Sequence, residues 1–170
     1  MRHAHLAAIG AAREAGAIVS FDPNLRFPLW PDREMLRQTV LQFLPLSNIL
    51  KVSDEELEFL TGTADIEAAL PQLFAGDVQL VLYTCGSKGA RAYTRTASAR
   101  ARSPKVTAVD TTGAGDAFFA GTVIGLTYGK NLAQSCEIGS RLAASVICIT
   151  ENVCPRFRPL EFGLDVPVVD

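Results

Sequence analysis

The chain has 170 residues, 48% of them apolar, with 16 basic against 18 acidic side chains and a net charge of -2, which is enough for one domain with a real hydrophobic core. No basic block is present to follow a phosphate backbone, which argues against nucleic-acid binding, and no apolar run reaches the about 18 residues of a membrane span. The reading is a cytoplasmic protein whose four cysteines, Cys85, Cys136, Cys148 and Cys154, lack C-x-x-C spacing and are buried, reduced thiols.

Residues 3 to 15 carry Leu6, Ile9 and Ala12 at helical spacing, and Gly16 follows as a stop. "AIVSFD" (17 to 22) is a strand, and the prolines of "PNLRFPLWP" force a loop from its C-terminal end. Asp32 is the expected N-cap of "REMLRQTVLQFL", whose Met35, Leu36, Thr39, Val40 and Phe43 share one face. "NILKV" (48 to 52) is the next strand, and Ser53 with Glu56 three residues on forms a capping box for "SDEELEFL". "IEAALPQLF" is helical despite Pro71, "VQLVLYT" (78 to 84) is a strand, and "CGSKG" turns it into the hairpin partner "ARAYTRT". Residues 98 to 109 are extended, and two helices close the chain, from about Ala114 to Tyr128 and from about Leu132 to Cys148.

Alternating β and α elements with near-continuous apolar strands predict an α/β sheet with helices on both faces. In such sheets ligands sit beyond the carboxyl ends of the strands. The loops "DPNLR", "SDEE", "TCGSKG" and "DTTGAGD" all fall there.

The stretch "VDTTGAGDAFFAG" (109 to 121) carries the chemistry. Glycines on both sides of Ala114 let the backbone approach a ligand, and the apolar run after them makes this turn a helix N-terminus. The amides of Gly113, Ala114, Gly115 and Asp116 are then expected to point outward as an anion hole. The competing reading is a threonine N-cap on an ordinary glycine turn. Asp116 opposes a bound anion unless it acts as a base: a carboxylate ionised at neutral pH can orient a hydroxyl and take its proton as the oxygen attacks phosphorus. Complementing the helix dipole is its simpler role.

The four segments together resemble the PfkB, or ribokinase-like, family of carbohydrate kinases. "VDTTGAGDAFFAG" is similar to its C-terminal signature, and "SFDPNLRFPLWPD" to the Asp-Pro-Asn-x-Arg segment of fructokinase-like members. "KVSDEELEFLTG" is similar to the Asn-x-x-Glu segment, with Ser53 where many members have Asn, and "YTCGSKGA" to the nucleotide loop. The fold this implies is a ribokinase-like (Rossmann-like) three-layer sandwich with a mostly parallel sheet. The implied activity is transfer of the γ-phosphoryl group of ATP to a sugar hydroxyl, with fructose ranked first on "SFDPNLRFPLWPD".

Carried over, Asp116 is the base and contacts the sugar, with the amides of Gly113, Ala114 and Gly115 holding the transferring group. Thr84, Gly86, Gly89, Ser53, Asn24 and Thr112 line the nucleotide, and Arg26 meets phosphate or sugar oxygens. Glu56 acts on the Mg2+ shell through water. Outside the resemblance, Glu56 is a capping residue, Gly86 and Gly89 belong to a hairpin turn, and Arg26 is a solvated surface charge. The resemblance also implies a K+-like cation between Asp110, the backbone near Thr112 and a loop after the last helix. There the chain departs, with Val153 and Cys154 at the usual Gly-Ala positions.

Family members are roughly double this length, so residues 1 to 170 are expected to be the C-terminal nucleotide-binding and catalytic portion, without the N-terminal half and its lid. Uncovered strand edges and apolar helix faces would then call for a homodimer or a partner carrying the missing portion. The alternatives are a nucleotide-binding fragment without catalysis, or a kinase for ribose, 2-keto-3-deoxygluconate or a nucleoside. A dehydrogenase is disfavoured, because its G-x-G-x-x-G turn should follow the first strand, whereas "GAG" comes late and leads into Asp116.

Overall fold

The structure is a computed structural model and describes residues 2–150 and 157–164. Helix α1 spans Arg2–Glu14 and buries no residue, with Leu6 exposed. Strand β1 is only Ser20–Phe21, shorter than the apolar run around it. The Val19 carbonyl already accepts the amides of Asn48 and Ile49 at 2.7 and 3.2 Å, and the parallel ladder to β2, Ile49–Ser53, then runs Ser20 to Ile49 and Phe21 to Leu50.

Between them lies α2, Arg33–Phe43. The Asp32 carboxylate accepts from the Met35 amide at 2.7 Å, and Leu36 and Val40 are buried. Met35, expected on that face, is exposed: the buried stripe is an i, i+4 pair, and Met35 lies a quarter-turn away. Helix α3, Asp54–Thr61, opens with the Ser53–Glu56 capping box and stops at left-handed Gly62. Helix α4, Ile66–Leu73, is capped by Asp65 and keeps Pro71 inside its last turn.

Strand β3, Leu80–Thr84, passes through the turn 85–89 into β4, Ala90–Tyr93, followed by β5, Ser98–Ala101. The five strands form one sheet in the order β1-β2-β3-β4-β5. It is mixed, because β1 and β2 are parallel while a five-residue connection is too short for a parallel crossover between β3 and β4. The extended run expected to 109 is a ladder only to Ala101. Helices α5, Ala114–Thr127, and α6, Leu132–Ile147, complete the order.

The chain divides into two compact units, Met1–Tyr83 with Tyr93–Thr96, and Thr84–Ala92 with Ala97–Asp170. The first is built on fully buried Leu44, Leu50, Val52, Leu57, Leu60, Leu73 and Val81. In the second, Ile138, Leu142, Phe162 and Leu164 pack with Ala117, Ile124 and Tyr128. There α5 and α6 meet backbone to backbone: a Cβ on Gly121 would lie 2.8 Å from the Gly139 Cα, and one on Gly125 2.8 Å from the Ser135 Cα. Small residues at this spacing let the helices approach closely, with Phe118 of α5 packed beside Gly139 of α6.

Among the described residues no helix is long and apolar enough to cross a membrane. The cysteines divide: Cys136 is buried, Cys85 half-buried and Cys148 exposed. The expectation of uniformly buried thiols is thus corrected at Cys148, which caps the C-terminus of α6 where the packed face ends; Cys154 lies outside the described residues. Burial pushes the Cys136 thiol up to about 11, and the thiolate is the reactive form. Iodoacetamide at neutral pH is therefore expected to label Cys148 in the native protein and Cys136 only in urea, as read by peptide mass spectrometry. Rapid native labelling of Cys136 would show that the buried face of α6 opens.

Candidate active site

In the second unit the turn before α5 is shaped by Gly113, the N-cap, at a φ of 79°. That left-handed conformation is open to glycine and costly for most other residues. No side chain caps the helix, so the alternative of a threonine N-cap does not describe this turn. Thr112 instead donates its amide to Asp110 Oδ1 at 2.9 Å. This bond holds the Asp110 carboxyl below the usual carboxylate range.

Of the amides expected to point outward, Ala114 is the exception, since it bonds the Thr111 carbonyl at 3.2 Å. The left-handed residue folds the chain back by one turn and brings that carbonyl onto the amide. No acceptor is recorded among the described residues for the amides of Gly113, Gly115 and Asp116, and they lie at the positive end of the α5 dipole. Asp116 is exposed in the first helical turn.

The same unit holds a cavity of about 480 Å³ that reaches this turn at Thr111, Ala114 and Gly115. Its other walls include Thr84, Gly86 and Gly89 of the hairpin, Val106 and Ala108 of the following segment, and Ala143 and Ala144 of α6. A volume in the range of about 300–1,000 Å³ with mostly small and apolar walls suits a drug-sized organic ligand. The hairpin is tight: Cys85 donates to the Gly89 carbonyl at 2.9 Å, and Gly89 to that of Gly86 at 3.1 Å. Gly89 has a φ of 93°, and a Cβ there would collide with the Ala101 carbonyl. These glycines form the hairpin turn, and the same turn is a wall of the cavity.

The first unit gathers the other predicted residues. Glu56 is buried and uses both oxygens, Oε2 accepting the Ser53 amide at 2.8 Å and Oε1 the Leu25 amide at 3.0 Å. The capping-box reading is thus filled, and the same carboxylate ties the loop after β1 to the start of α3. Each oxygen keeps a second lone pair, so a metal-held water remains compatible with it. Among the described residues no group of three or more His, Cys, Asp or Glu is arranged to hold a metal directly.

Asn24 is exposed at a φ of 44°, and its amide bonds Asp22 Oδ1 at 3.2 Å. Arg26 is exposed and turns its guanidinium onto the Leu25 carbonyl at 3.2 Å. Beneath them, buried Lys51 of β2 hydrogen-bonds Asp22 Oδ1 at 3.1 Å and lies 3.0 Å from Oδ2. The Oδ2 contact is electrostatic only, for that buried atom has no aligned hydrogen bond. Burial raises the Asp22 carboxyl against the lowering pull of the Lys51 ammonium.

Residues 1–151 match the family model described as pfkB family carbohydrate kinase. The chain belongs to that family. Within this pfkB chain 119 residues are 49% identical to "Probable fructokinase-4" of Arabidopsis thaliana, covering 69% of the chain and 36% of the relative. A stretch of 138 residues is 44% identical to "Probable fructokinase-6, chloroplastic" of the same plant, covering 80% and 36%. Among solved structures, fructokinase from Vibrio cholerae O395, in a form bound to fructose, ADP and calcium ion, superposes with a TM-score of 0.79 at 34% identity, over 90% of this chain and 51% of that one. A putative ribokinase II from E. coli superposes with a TM-score of 0.84 at 25% identity, over 95% and 52%. The fold is therefore ribokinase-like, and the pfkB chain spans about a third of the length of these plant relatives and about half of these solved structures.

Two features of these units escaped the sequence reading. Lys51 could have been noticed as a charge inside the apolar strand "NILKV". The α6 wall of the cavity has a fainter signal, the small residues Ser140, Ala143 and Ala144. The cation loop with Val153 and Cys154 lies outside the described residues.

Proposed function

We propose that this chain is the nucleotide-binding and catalytic portion of an ATP-dependent sugar kinase, with fructose the first-ranked acceptor. One observation carries the reading: the cavity ends at an uncapped glycine turn whose next residue is Asp116. Such a site offers a volume for a nucleotide, amides and a helix dipole for its terminal phosphate, and a carboxylate beside them. The plant and Vibrio fructokinases to which the chain is similar favour fructose.

In this reading the adenosine part of ATP rests between the 84–90 hairpin and α6, with Gly86 and Gly89 allowing close approach. The amides of Gly113, Gly115 and Asp116 hold the γ-phosphoryl group as it leaves ADP. Asp116 accepts the proton of the sugar hydroxyl while that oxygen bonds phosphorus. Positioning and charge stabilisation contribute most, because the transition state of phosphoryl transfer is loose. Mg2+ bound with ATP neutralises phosphate charge, and Glu56 would hold it through water. Asp110 and the Thr112 backbone would hold a K+-like ion, and Asn24 and Arg26 would face phosphate or sugar oxygens.

The test is ADP release from ATP and Mg2+ by the purified chain, with and without fructose. Fructose-dependent release is expected. ATP binding without release over a panel of sugars would overturn catalysis by this chain and leave the second reading, a nucleotide-binding portion that needs a partner. A homodimer, or a complex with a chain carrying the remaining portion, would then supply the residues that select the sugar.

A further inference from the structure

We propose that Lys51 is a positioning residue of the kinase site: through half-buried Asp22 it holds the 22–26 turn that presents Asn24 and Arg26. The inference rests on the kinase reading for its effect on turnover, and on geometry alone for its effect on the turn.

A buried ion pair is a poor stabiliser, since removing both charges from water offsets most of their attraction, and an apolar pair of similar volume often serves as well or better. Lys51 nevertheless stands in a strand beside buried, apolar Ile49, Leu50 and Val52, and its side chain is 8% exposed against 14% for Asp22. What the pair holds is local. The Asp22 oxygen that accepts from Lys51 Nζ is also the one that accepts the Asn24 amide. Asn24 is the one described non-glycine residue at positive φ, a conformation that persists only when its surroundings impose it. The next amide, Leu25, is held from the other side by Glu56, and Arg26 then accepts the Leu29 amide at 3.0 Å and starts the 27–29 turn. Lys51 thus lies at the base of a relay that sets the backbone of the whole loop.

The experiment compares the parent chain with Lys51→Met, Lys51→Arg and the double variant Asp22→Asn/Lys51→Met. Three readouts are taken: the urea midpoint, hydrogen exchange of the peptide covering 23–30, and fructose-dependent ADP release. Lys51→Met is expected to speed exchange in that peptide by about tenfold, the loss of one buried hydrogen bond's worth of protection, and to lower kcat. Lys51→Arg recovers part of both. The double variant, free of an unpaired buried charge, recovers the urea midpoint but neither the exchange protection nor kcat. Full recovery of all three readouts in the double variant would overturn the proposal, since the pair would then be structural only. Parent-like exchange in Lys51→Met would overturn it as well. If the parent itself releases no ADP, the kinase reading fails for this chain, while the exchange readout still decides whether Lys51 holds the turn.

Discussion

Asp116→Asn is expected to lower fructose-dependent ADP release by about 10²–10⁴-fold, the usual contribution of a positioned general base, while ATP still binds. The asparagine is nearly isosteric and leaves Gly113 as the N-cap with no side-chain cap to lose, so the anion site survives and the proton acceptor does not. The fold should be untouched, because Asp116 is exposed and its favourable interaction with the helix dipole is worth at most about 1 kcal/mol. Isothermal titration with ATP beside a coupled ADP assay separates the two effects. Turnover equal to the parent's would remove Asp116 from the chemistry. Loss of ATP binding together with turnover would mean that its part is structural.

Gly139→Ala is expected to cost about 1–3 kcal/mol of stability, the range for overfilling a packed interior, and to weaken ATP binding as well. A Cβ at this position would collide with Thr122 Oγ1 and the Phe118 carbonyl and lie 3.0 Å from Phe118 Cδ2. Thr122 cannot turn aside freely, since its hydroxyl donates to that same carbonyl at 2.8 Å. The strain must therefore part α5 from α6, and both helices wall the cavity, through Phe118 on one side and Ser140, Ala143 and Ala144 on the other. Gly10→Ala is the control: nothing lies within 4 Å of its Cβ position, and removing a glycine from a helix interior should add roughly 0.5–1 kcal/mol. Urea unfolding of both variants reads the signs. A Gly139→Ala chain as stable as the parent would show that the seam relaxes and that close approach of the two helices is not required.

What could be read before folding was local. The Ser53–Glu56 capping box, the Asp32 cap, the 85–89 hairpin turn and the glycine start of α5 each rest on residues within a few positions of one another. Their hydrogen bonds and φ requirements are written into short patterns. The order of β and α elements followed from apolar periodicity, and the four motifs in their order pointed to the family. Element ends were less legible. β1 shrank to two residues and β5 to four, because a ladder ends where its partner strand does.

The fold decided everything that needed distant residues to meet. Asp22 and Lys51 are 29 positions apart, and Leu25 and Glu56 are 31; no local pattern records such pairs, since parallel strands and the loops above them are aligned by tertiary packing. The same holds for the Ala114 amide, which a turn conformation diverted to Thr111, and for the α6 wall of the cavity. By itself, then, the sequence determined on which caps and turns the candidate residues stand, because capping and turn formation are short-range. Only the tertiary structure decided which charges meet, which amides stay open and where a cavity of about 480 Å³ is left, because these depend on side chains that approach only once the chain is packed.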